Sequence, residues 1–331
     1  MHIAIIGAGL AGLTAARQCQ AQGHQVSVYE KNAEVSGRMA TRHTELGGFD
    51  HGAQYFTAQT DRFKKELDEW CQSSWVVAWE SKLAQLDQGQ VKSLPTGPQR
   101  FVPVPGMSAL GRQLADGLDV HAEQKVTALA TLNGKWLLSI QSDLVPIAAT
   151  AGPFDAVIIA TPAELASGLL RAHDCSFMSL IQQVKTVPCW ALMLGFQSPL
   201  ELPFDGAWLT NSRLAWIARD TSKPLHRAGE RWICHATPEW STEHFDDDAE
   251  RVKEKLTKAF HQGTGSVIQA IHAVAHRWSY AQTLMPIDAA CGWDAQKKIG
   301  VCGDWFSSGL DGASRIENAF LSGLAMSREI Q

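Results

Sequence analysis

Apolar positions near the amino terminus follow a strand period and then a helical period, a pattern that predicts a mixed α/β fold. An apolar run at 3–6 leads into a helix predicted over 10–22, and a second apolar run follows at 26–29. Apolar residues recur at helical spacing over 61–72 and again over 246–261. The pattern therefore predicts a strand, a helix and a strand, followed later by two amphipathic helices.

The middle and end of the chain add strands of a different kind. Residues 125–141 alternate around Asn133-Gly134, which is the strongest short signal for a hairpin. Further strands are predicted at 154–159, 191–196, 231–236, 274–280 and 299–301. Those between 191 and 280 are joined by long polar connections and predict a separate antiparallel sheet. A helix over 314–328 closes the chain.

The composition of residues 83–105 differs from that of the predicted core. Between Leu83 and Pro105 the chain is rich in Gln, Gly, Pro and Ser, which indicates a hairpin or connecting segment rather than core. A helix opens directly afterwards, with Ser108 as its expected N-cap residue.

The first thirty residues carry a dinucleotide-binding pattern. Gly7, Gly9 and Gly12 form Gly-x-Gly-x-x-Gly after the first strand, and Glu30 ends the second strand. In this pattern the glycines permit a tight turn, close approach of a pyrophosphate to the helix N-terminus, and close helix packing. The acid accepts hydrogen bonds from ribose hydroxyls. The residues expected to contact this part of the dinucleotide are Gly7, Ala8, Gly9, Leu10, Ala11, Gly12, Glu30 and Lys31, with the backbone of Val126 beside the adenine.

Composition narrows the class of protein. The 331 residues carry a formal net charge of -5, spread along the chain, which argues against binding of nucleic acid. Seven cysteines without a C-x-x-C pair indicate reduced thiols and a cytoplasmic protein. We expect no signal peptide and no membrane span, since no apolar stretch approaches eighteen residues.

Three later features favour FAD over a nicotinamide cofactor. Gly37, Arg38 and Met39 follow the second strand, where a cation can neutralise a pyrophosphate from the side opposite the helix dipole. Ala160-Thr161-Pro162 ends a buried strand, as the chain does where it passes the nucleotide in many FAD proteins. Gly303-Asp304 follows a late strand and offers a carboxylate to the ribityl hydroxyls. Each feature alone is also an ordinary turn, so a nicotinamide-dependent dehydrogenase stays an alternative.

Several motifs, in this order, resemble the bacterial renalases, a branch near the flavin-containing amine oxidases. They are Gly37-Arg38-Met39, Gly52-Ala53-Gln54-Tyr55-Phe56-Thr57, Pro105-Gly106-Met107-Ser108, Ile159-Ala160-Thr161-Pro162, His276-Arg277-Trp278 and Gly303-Asp304-Trp305. The resemblance covers nearly the whole chain. It implies a p-hydroxybenzoate-hydroxylase-like fold, non-covalent FAD, and oxidation of the 2- and 6-dihydro isomers of NAD(P), with O2 reduced to hydrogen peroxide.

The same resemblance implies a discontinuous architecture. The FAD-binding Rossmann-type domain would comprise 1–60, 101–165 and 292–331. An inserted α+β substrate domain, built on an antiparallel sheet, would comprise 61–100 and 166–291.

The carboxyl-terminal part departs from the family pattern in two ways. Residues 306–314 intervene before the segment that would place Glu317 and Asn318 beside the flavin pyrimidine. No cysteine follows Asp304, where monoamine oxidases tether FAD, so we expect no covalent link; Cys302 is the neighbouring thiol that could test this expectation.

Six side chains are candidates for the reaction site. Gln54 and Tyr55 either face the flavin or pack in a strand. Arg277 and Trp278 are adjacent on a strand and point to opposite sides, so at most one faces the pocket. Arg277 could anchor a phosphate or carboxamide, or form a surface ion pair. The other candidates are His235, as a hydrogen-bond partner or core histidine, and Trp305, as an aromatic wall beside the isoalloxazine.

The reaction that the resemblance implies needs alignment of two flat rings more than proton transfer. No Cys/His cluster has metal-ligand spacing, and we expect no metal. The main alternative is an amine or polyamine oxidase, which would need an aromatic cage and often a buried lysine near flavin N5. Only Lys185 stands before an apolar strand. A flavin-binding protein without turnover is a third possibility.

Overall fold

A computed structural model describes residues 1–87, 89–142, 149–307, 309–310 and 315–330. Its strands are β1 (His2–Ile6), β2 (Gln25–Tyr29), β3 (Arg42–Thr44), β4 (Gly47–Phe49), β5 (Val76–Ala78), β6 (Leu83–Asp87), β7 (Gln90–Ser93), β8 (Phe101–Pro103), β9 (Asp119–His121), β10 (Lys125–Leu132), β11 (Lys135–Gln141), β12 (Ala149–Phe154), β13 (Ala156–Ile159), β14 (Lys185–Phe196), β15 (Gly206–Thr210), β16 (Leu214–Arg219), β17 (Glu230–Ala236), β18 (His272–Met285), β19 (Gly292–Asp294) and β20 (Ile299–Val301). Its α-helices are α1 (Leu10–Ala21), α2 (Asp61–Gln72), α3 (Ser108–Ala115), α4 (Ala163–Leu170), α5 (Met178–Ile181), α6 (Pro238–Glu243), α7 (Ala249–Thr264) and α8 (Arg315–Glu329).

The first sheet has the order β19-β20-β13-β1-β2-β9 and is parallel except for the antiparallel edge strand β19. Ile3 and Ile5 of β1 pack towards α1 and α8, whereas Ala4 and Ile6 pack towards the small antiparallel sheet β10-β11-β12. Both faces are therefore covered, as a parallel sheet requires. The carboxyl ends of β1, β2, β13 and β20 open on one edge, where a dinucleotide binds in such sheets.

The second sheet has the order β18-β14-β17-β16-β15-β6-β7. Its pairs are antiparallel except for β15 with β6. One face packs on α6 and α7 through a core that includes Trp232 and Phe260. The opposite face carries Met193 and Ile233, which pack on Phe49 at the end of β4. The fold is thus a Rossmann-like dinucleotide domain joined to a sheet-rich substrate domain.

Most elements that the sequence predicts are confirmed. The hairpin β10–β11 turns at Asn133 and Gly134, whose positive φ angles of 51° and 75° suit a tight primed turn. The helix predicted over 246–261 begins at Ala249, with the Asp248 carboxylate accepting from the amides of Glu250 and Arg251.

The segment after Leu83 was expected to be a hairpin or connecting region rather than core. The hairpin is confirmed, since β6 pairs antiparallel with β7. The expectation that it lies outside the core was wrong: Leu83, Ala84 and Leu86 are buried, because β6 enters the second sheet beside β15. Ser108 is not the N-cap of α3: Met107 precedes the helix, and the Ser108 hydroxyl accepts from Arg112.

The segment predicted as 61–100 is divided between the two cores. Helix α2 shares the core of the first sheet, where Phe63 and Trp70 contact Phe320 of α8. Strands β6 and β7 belong to the second sheet. Within the described ranges, no helix has both the length and the apolar character needed to cross a bilayer.

Candidate active site

The phosphate end of the site is built by the glycine fingerprint. At Gly7, φ is +104°, and an added Cβ would lie 2.8 Å from the carbonyl oxygen of Ala160. At Gly12, an added Cβ would lie 2.0 Å from the carbonyl oxygen of Gly7, so helix α1 packs directly on the turn. At Gly9, the N-cap of α1, nothing lies within 4 Å of the Cβ position. This free space at a helix N-terminus fits a pyrophosphate; the backbones of Ala8, Leu10 and Ala11 border it.

Glu30 lies at the end of β2, as the sequence predicts, and is buried. Its carboxylate accepts from the Ala8 amide at 2.9 Å and from the Asn32 amide and side chain at 2.9 and 2.8 Å. A carboxylate has about four acceptor positions, so one remains for a ribose hydroxyl. Lys31 beside it is exposed, and Val126 is buried in the core that contains Tyr29.

The short turn Gly37–Met39 lies against the fingerprint, since an added Cβ at Gly37 would be 3.3 Å from Gly9 Cα. Met39 is buried in the first core. The Arg38 guanidinium pairs with the Asp304 carboxylate at 2.6 Å. The sequence predicted that Arg38 contacts the pyrophosphate and that Asp304 contacts the ribityl hydroxyls. The structure shows that the two side chains also contact each other. A guanidinium has five N–H donors, so pairing with Asp304 leaves donors for an anion.

A bulge in β18 reaches this ion pair. Val187 of β14 pairs with Gln282 of β18, and Cys189 pairs with Trp278. Between these two pairs β14 has one residue and β18 has three, residues 279–281. The carbonyls of Tyr280 and Ala281 in this bulge accept from Arg38 Nη1, both at 3.4 Å. Bulges re-aim backbone next to functional sites. The substrate sheet therefore contacts the cofactor domain through main-chain atoms.

His51, His276 and Trp278 form a compact group that we call the histidine–tryptophan wall. The His51 ring lies 5.0 Å from the Trp278 ring and 4.8 Å from that of His276, measured between centroids. The His51 carbonyl accepts from Trp278 Nε1 at 3.0 Å and from His235 Nε2 at 3.2 Å. Gly52 follows, and an added Cβ there would lie 2.0 Å from the Arg38 carbonyl oxygen. The wall is thus fixed beside the Arg38 turn.

The imidazoles at this site are neutral near neutral pH. Burial lowers the pKa of His51 to about 3, with smaller contributions from His276 and Arg42. Burial likewise lowers the pKa of His276 and of His235 to about 4 each. His51 Nδ1 is buried and has no hydrogen-bond partner within the described part of the chain. This nitrogen is enclosed by protein atoms, so the His51 ring contributes to the packing and the low charge of the group rather than presenting a donor or acceptor at its surface.

The burial of these three histidines should make the stability of the protein depend on pH. The unfolded chain binds protons at its histidines below a pH of about 6.5, whereas folded His51, His276 and His235 resist protonation until lower pH. We therefore expect the free energy of unfolding to fall as pH drops from about 6.5 to about 4. Urea unfolding across this range should show a smaller pH slope in His276→Gln than in the wild type. The exposed His43→Gln serves as control, and an unchanged slope in His276→Gln would contradict the assignment.

The other predicted side chains lie in distinct places. Gln54 is buried, donates to the carbonyls of Asp50 and Gly52, and leaves its Oε1 without a partner. Tyr55 contacts Arg100, Trp79 and Trp216 rather than the wall.

Arg277 and Trp278 point to opposite sides of β18, as the sequence predicts. The Arg277 guanidinium lies 4.2 Å from the centre of the Phe245 ring, in the segment that follows α6. It donates to the Phe245 carbonyl and has Asp246 at 3.9 Å. Trp278 therefore lies on the face of β18 that carries His276, and Arg277 lies on the opposite face, where its contact with Asp246 fits the ion-pair interpretation.

Two residues expected beside the flavin have side chains that are engaged within the protein. Trp305 is 1% exposed, donates to the Thr161 carbonyl at 3.2 Å and stacks on Phe306, so it packs in the core. The Glu317 carboxylate accepts from the amides of Gln59 and Thr60 at 2.8 and 2.7 Å and holds the start of α2. Its oxygens are directed at this loop rather than at a cofactor.

Several other residues predicted to contact the cofactor lie near the same edge of the first sheet. Ala160 follows β13 against Gly7, and Pro162 precedes α4. Gly303 lies against the Trp305 indole and donates from its amide to Ser322 at 3.1 Å. Asn318 is buried, with Oδ1 unpartnered among the described residues, and so stays a candidate contact. Residues 311–314, part of the departing segment, lie outside the described residues.

Lys223 is the residue that sequence reasoning missed. Lys185 is exposed at the start of β14, whereas the Lys223 side chain is fully buried. Its ammonium lies 3.0 Å from Asp50 and 2.8 Å from Asp220. Burial alone would lower the pKa of Lys223, but Asp220 and Asp50 outweigh burial and raise it. The only signal in the sequence was the i,i+3 spacing of Asp220, Lys223 and His226 inside a polar stretch.

This buried charge network joins the two domains. His226 contacts Asp220 at 3.1 Å and Asp50 at 3.4 Å. Asp50 also accepts from Thr41 at 2.6 Å and from the Met107 amide at 2.9 Å. Ligand atoms of Asp50, Asp220 and His226 lie within 4.8 Å of one another, a spacing that could hold a metal ion. The Lys223 ammonium supplies the positive charge among these groups and fixes Asp50, the residue before His51.

Comparison with known proteins places this geometry in a family. A model of an NAD(P)-binding Rossmann-like domain matches residues 5–70, and a model of the flavin containing amine oxidoreductases matches 71–331. The 4,4'-diapophytoene desaturase of Staphylococcus haemolyticus (strain JCSC1435) is 48% identical over 52 residues. That match spans 16% of this chain and only 10% of the desaturase.

Solved structures are similar over the whole chain. The putative protoporphyrinogen oxidase from Exiguobacterium sp. 255-15 has a TM-score of 0.77 at 12% identity, covering 99% of this chain and 98% of that one. Putrescine oxidase bound to putrescine has a TM-score of 0.70 at 12% identity, covering 100% and 99%. These likenesses show the fold alone. The match of residues 71–331 to the family model, together with the fingerprint geometry, identifies the chain as an FAD-dependent oxidoreductase of the flavin containing amine oxidoreductase family.

Proposed function

We propose that the protein oxidises isomeric dihydronicotinamides, the 2- and 6-dihydro forms of NAD(P), to NAD(P)+. The observation that carries the proposal is the histidine–tryptophan wall beside the Arg38 turn. It offers a flat indole and neutral imidazoles in one compact group. Donation of hydride from a dihydropyridine needs ring alignment and no proton acceptor, because the ring regains aromaticity as the hydride leaves.

The side chains of the wall have separate roles in this proposal. Trp278 is held by its hydrogen bond to the His51 carbonyl and presents a ring face for stacking. His235 holds the same carbonyl from β17 and so orients the segment that carries His51. Low pKa values keep these rings uncharged, which avoids repulsion of the positively charged product ring.

FAD bound at this site would supply the hydride acceptor, and O2 would reoxidise it. The overall reaction balances as dihydro-NAD(P) plus O2 plus one proton giving NAD(P)+ and hydrogen peroxide. We propose that FAD is held without a covalent bond: Cys302 is buried, and burial raises its pKa further from the thiolate form. Gly9, Glu30 and the Arg38–Asp304 pair are the residues that would hold its phosphates and sugars.

A second candidate is oxidation of an amine or polyamine. Membership of the amine oxidoreductase family and the buried Lys223 favour it. The two carboxylates, however, raise the pKa of Lys223 and keep it protonated, so its nitrogen offers no free lone pair to a reacting amine. A cationic amine would also meet Arg42 and Lys31, whose charges act on the wall histidines.

Anaerobic mixing with borohydride-derived dihydro-NAD isomers tests the proposal. We expect the oxidised flavin absorbance to bleach rapidly with the 2- or 6-isomer and not with ordinary NADH, and to return in air with formation of peroxide. Bleaching by putrescine with none by the isomers would establish the second candidate. No bleaching by either would refute both.

A further inference from the structure

We propose that Arg42 forms an anion subsite that binds the phosphate part of the substrate beside the histidine–tryptophan wall. The inference rests on the proposed function and specifies its substrate class as a phosphorylated nicotinamide nucleotide rather than a nucleoside or an amine. The subsite lies outside the cofactor fingerprint and on the substrate-domain side of the β3–β4 hairpin.

Strand register directs Arg42 towards the substrate sheet. Arg42 of β3 lies directly opposite Phe49 of β4 in an antiparallel pair. Side chains at opposed positions share one face of the pair. Phe49 stacks on the His272 ring at 5.3 Å and packs with Met193, Ile233 and Val274 of the second sheet. The face that carries Arg42 is therefore the face turned to β18.

The same face of β18 runs from this cation to the wall. His272, His276 and Trp278 alternate with residues of the opposite face, since successive strand side chains point to opposite sides. His276 contacts His51, and it lies two residues before Trp278, a distance of about 7 Å along a strand. A nicotinamide ring stacked near Trp278 would thus have its ribose and phosphate directed along β18 towards Arg42.

The charge of Arg42 is open to a ligand. The Arg42 side chain is exposed, and among the residues that the structure describes it has no carboxylate within 4.0 Å. The carboxylates of Asp50 and Asp220 are already paired with Lys223. The remaining acid of the hairpin, Glu45, lies in its turn, beyond Thr44.

The nearby positive charges lower the pKa of three histidines. Burial lowers the pKa of His276, and Arg42 and Lys31 lower it further. Arg42 also adds to the effect of burial in lowering the pKa of His51 and His272. Arginine binds phosphate with two parallel charge-assisted hydrogen bonds, and it repels an ammonium. The subsite therefore selects phosphorylated substrates over polyamines.

The test compares holoenzyme variants with two substrates that share a reacting ring. Arg42→Met should raise KM about tenfold for the dihydro-NAD isomer, equivalent to about 1.4 kcal/mol, with kcat unchanged. KM for the matching dihydronicotinamide riboside, which lacks phosphate, should stay unchanged. Arg42→Lys should recover part of the loss, because a point charge remains. Arg213→Met removes an exposed arginine on the β15–β16 turn and is the matched control.

Direct binding gives a readout independent of turnover. Calorimetric titration of the holoenzyme with inorganic pyrophosphate should show binding that weakens about tenfold in Arg42→Met and also weakens with added salt. Equal pyrophosphate affinity in wild type and Arg42→Met would overturn the subsite, even if both isomers bleach the flavin. Absence of bleaching with Arg42-dependent pyrophosphate binding would instead refute the proposed reaction and retain the anion subsite.

Discussion

Replacing Lys223 with methionine should destabilise the protein by about 3–5 kcal/mol, since the change leaves charged carboxylates buried without their partner. Asp50 and Asp220 both contact the Lys223 ammonium, and all three side chains are fully buried. Methionine approximates the volume of the lysine stem, so the effect comes from charge rather than from a cavity. The melting temperature of the holoprotein and urea unfolding followed by tryptophan fluorescence both measure it.

Two further variants separate charge from packing. Asp220→Asn combined with Lys223→Met should recover part of the stability, because one uncompensated negative charge is then removed. Lys185→Met, at an exposed position, should change stability by no more than about 0.5 kcal/mol. A loss below about 1 kcal/mol in Lys223→Met alone would mean that water or another cation reaches the two carboxylates.

Gly9→Ala should reduce affinity for FAD about 100-fold, or about 2.7 kcal/mol, and leave the apoprotein as stable as the wild type. The φ and ψ angles of -77° and 177° at Gly9 suit alanine, and no protein atom lies within 4 Å of the new methyl group. Only a ligand phosphate at the helix N-terminus would meet that methyl group. Quenching of FAD fluorescence on titration with apoprotein measures the affinity.

The chain supplies matched controls for this prediction. Gly168→Ala adds a methyl to helix α4, also with nothing within 4 Å, and should leave FAD affinity unchanged. Gly12→Ala should instead disturb folding, because its Cβ would lie 2.0 Å from the Gly7 carbonyl oxygen. Normal FAD affinity in Gly9→Ala would place the pyrophosphate elsewhere.

Features determined by neighbouring residues were predictable from the sequence. The fingerprint at Gly7, Gly9 and Gly12 and the Asn133-Gly134 turn depend on local backbone conformation, and both are confirmed. Helix α2 was predictable for a similar reason: its apolar residues recur at a spacing that is visible within twelve positions.

Features that depend on distant partners were not predictable. Strand β6 is in the core because β15, more than a hundred residues later, lies beside it. From the sequence, Lys223 would be predicted to be exposed to solvent. It is buried because the fold places Asp50, which is distant in sequence, beside its ammonium. Glu317 and Trp305 are next to the predicted cofactor edge, but the sequence does not show which way their side chains point. The Glu317 carboxylate is directed to the amides of Gln59 and Thr60. The Trp305 indole is directed to the Thr161 carbonyl.

The bulge of β18 has a consequence for how relatives of this chain can diverge. Because Arg38 contacts the carbonyls of Tyr280 and Ala281, substitution of those side chains leaves the acceptors in place. Deletion of one residue between Trp278 and Gln282 would shift both carbonyls and turn Trp278 to the opposite face relative to the following strand. We therefore expect alignments to show varied residues but constant length across this segment, with insertions and deletions confined to the ends of the strand.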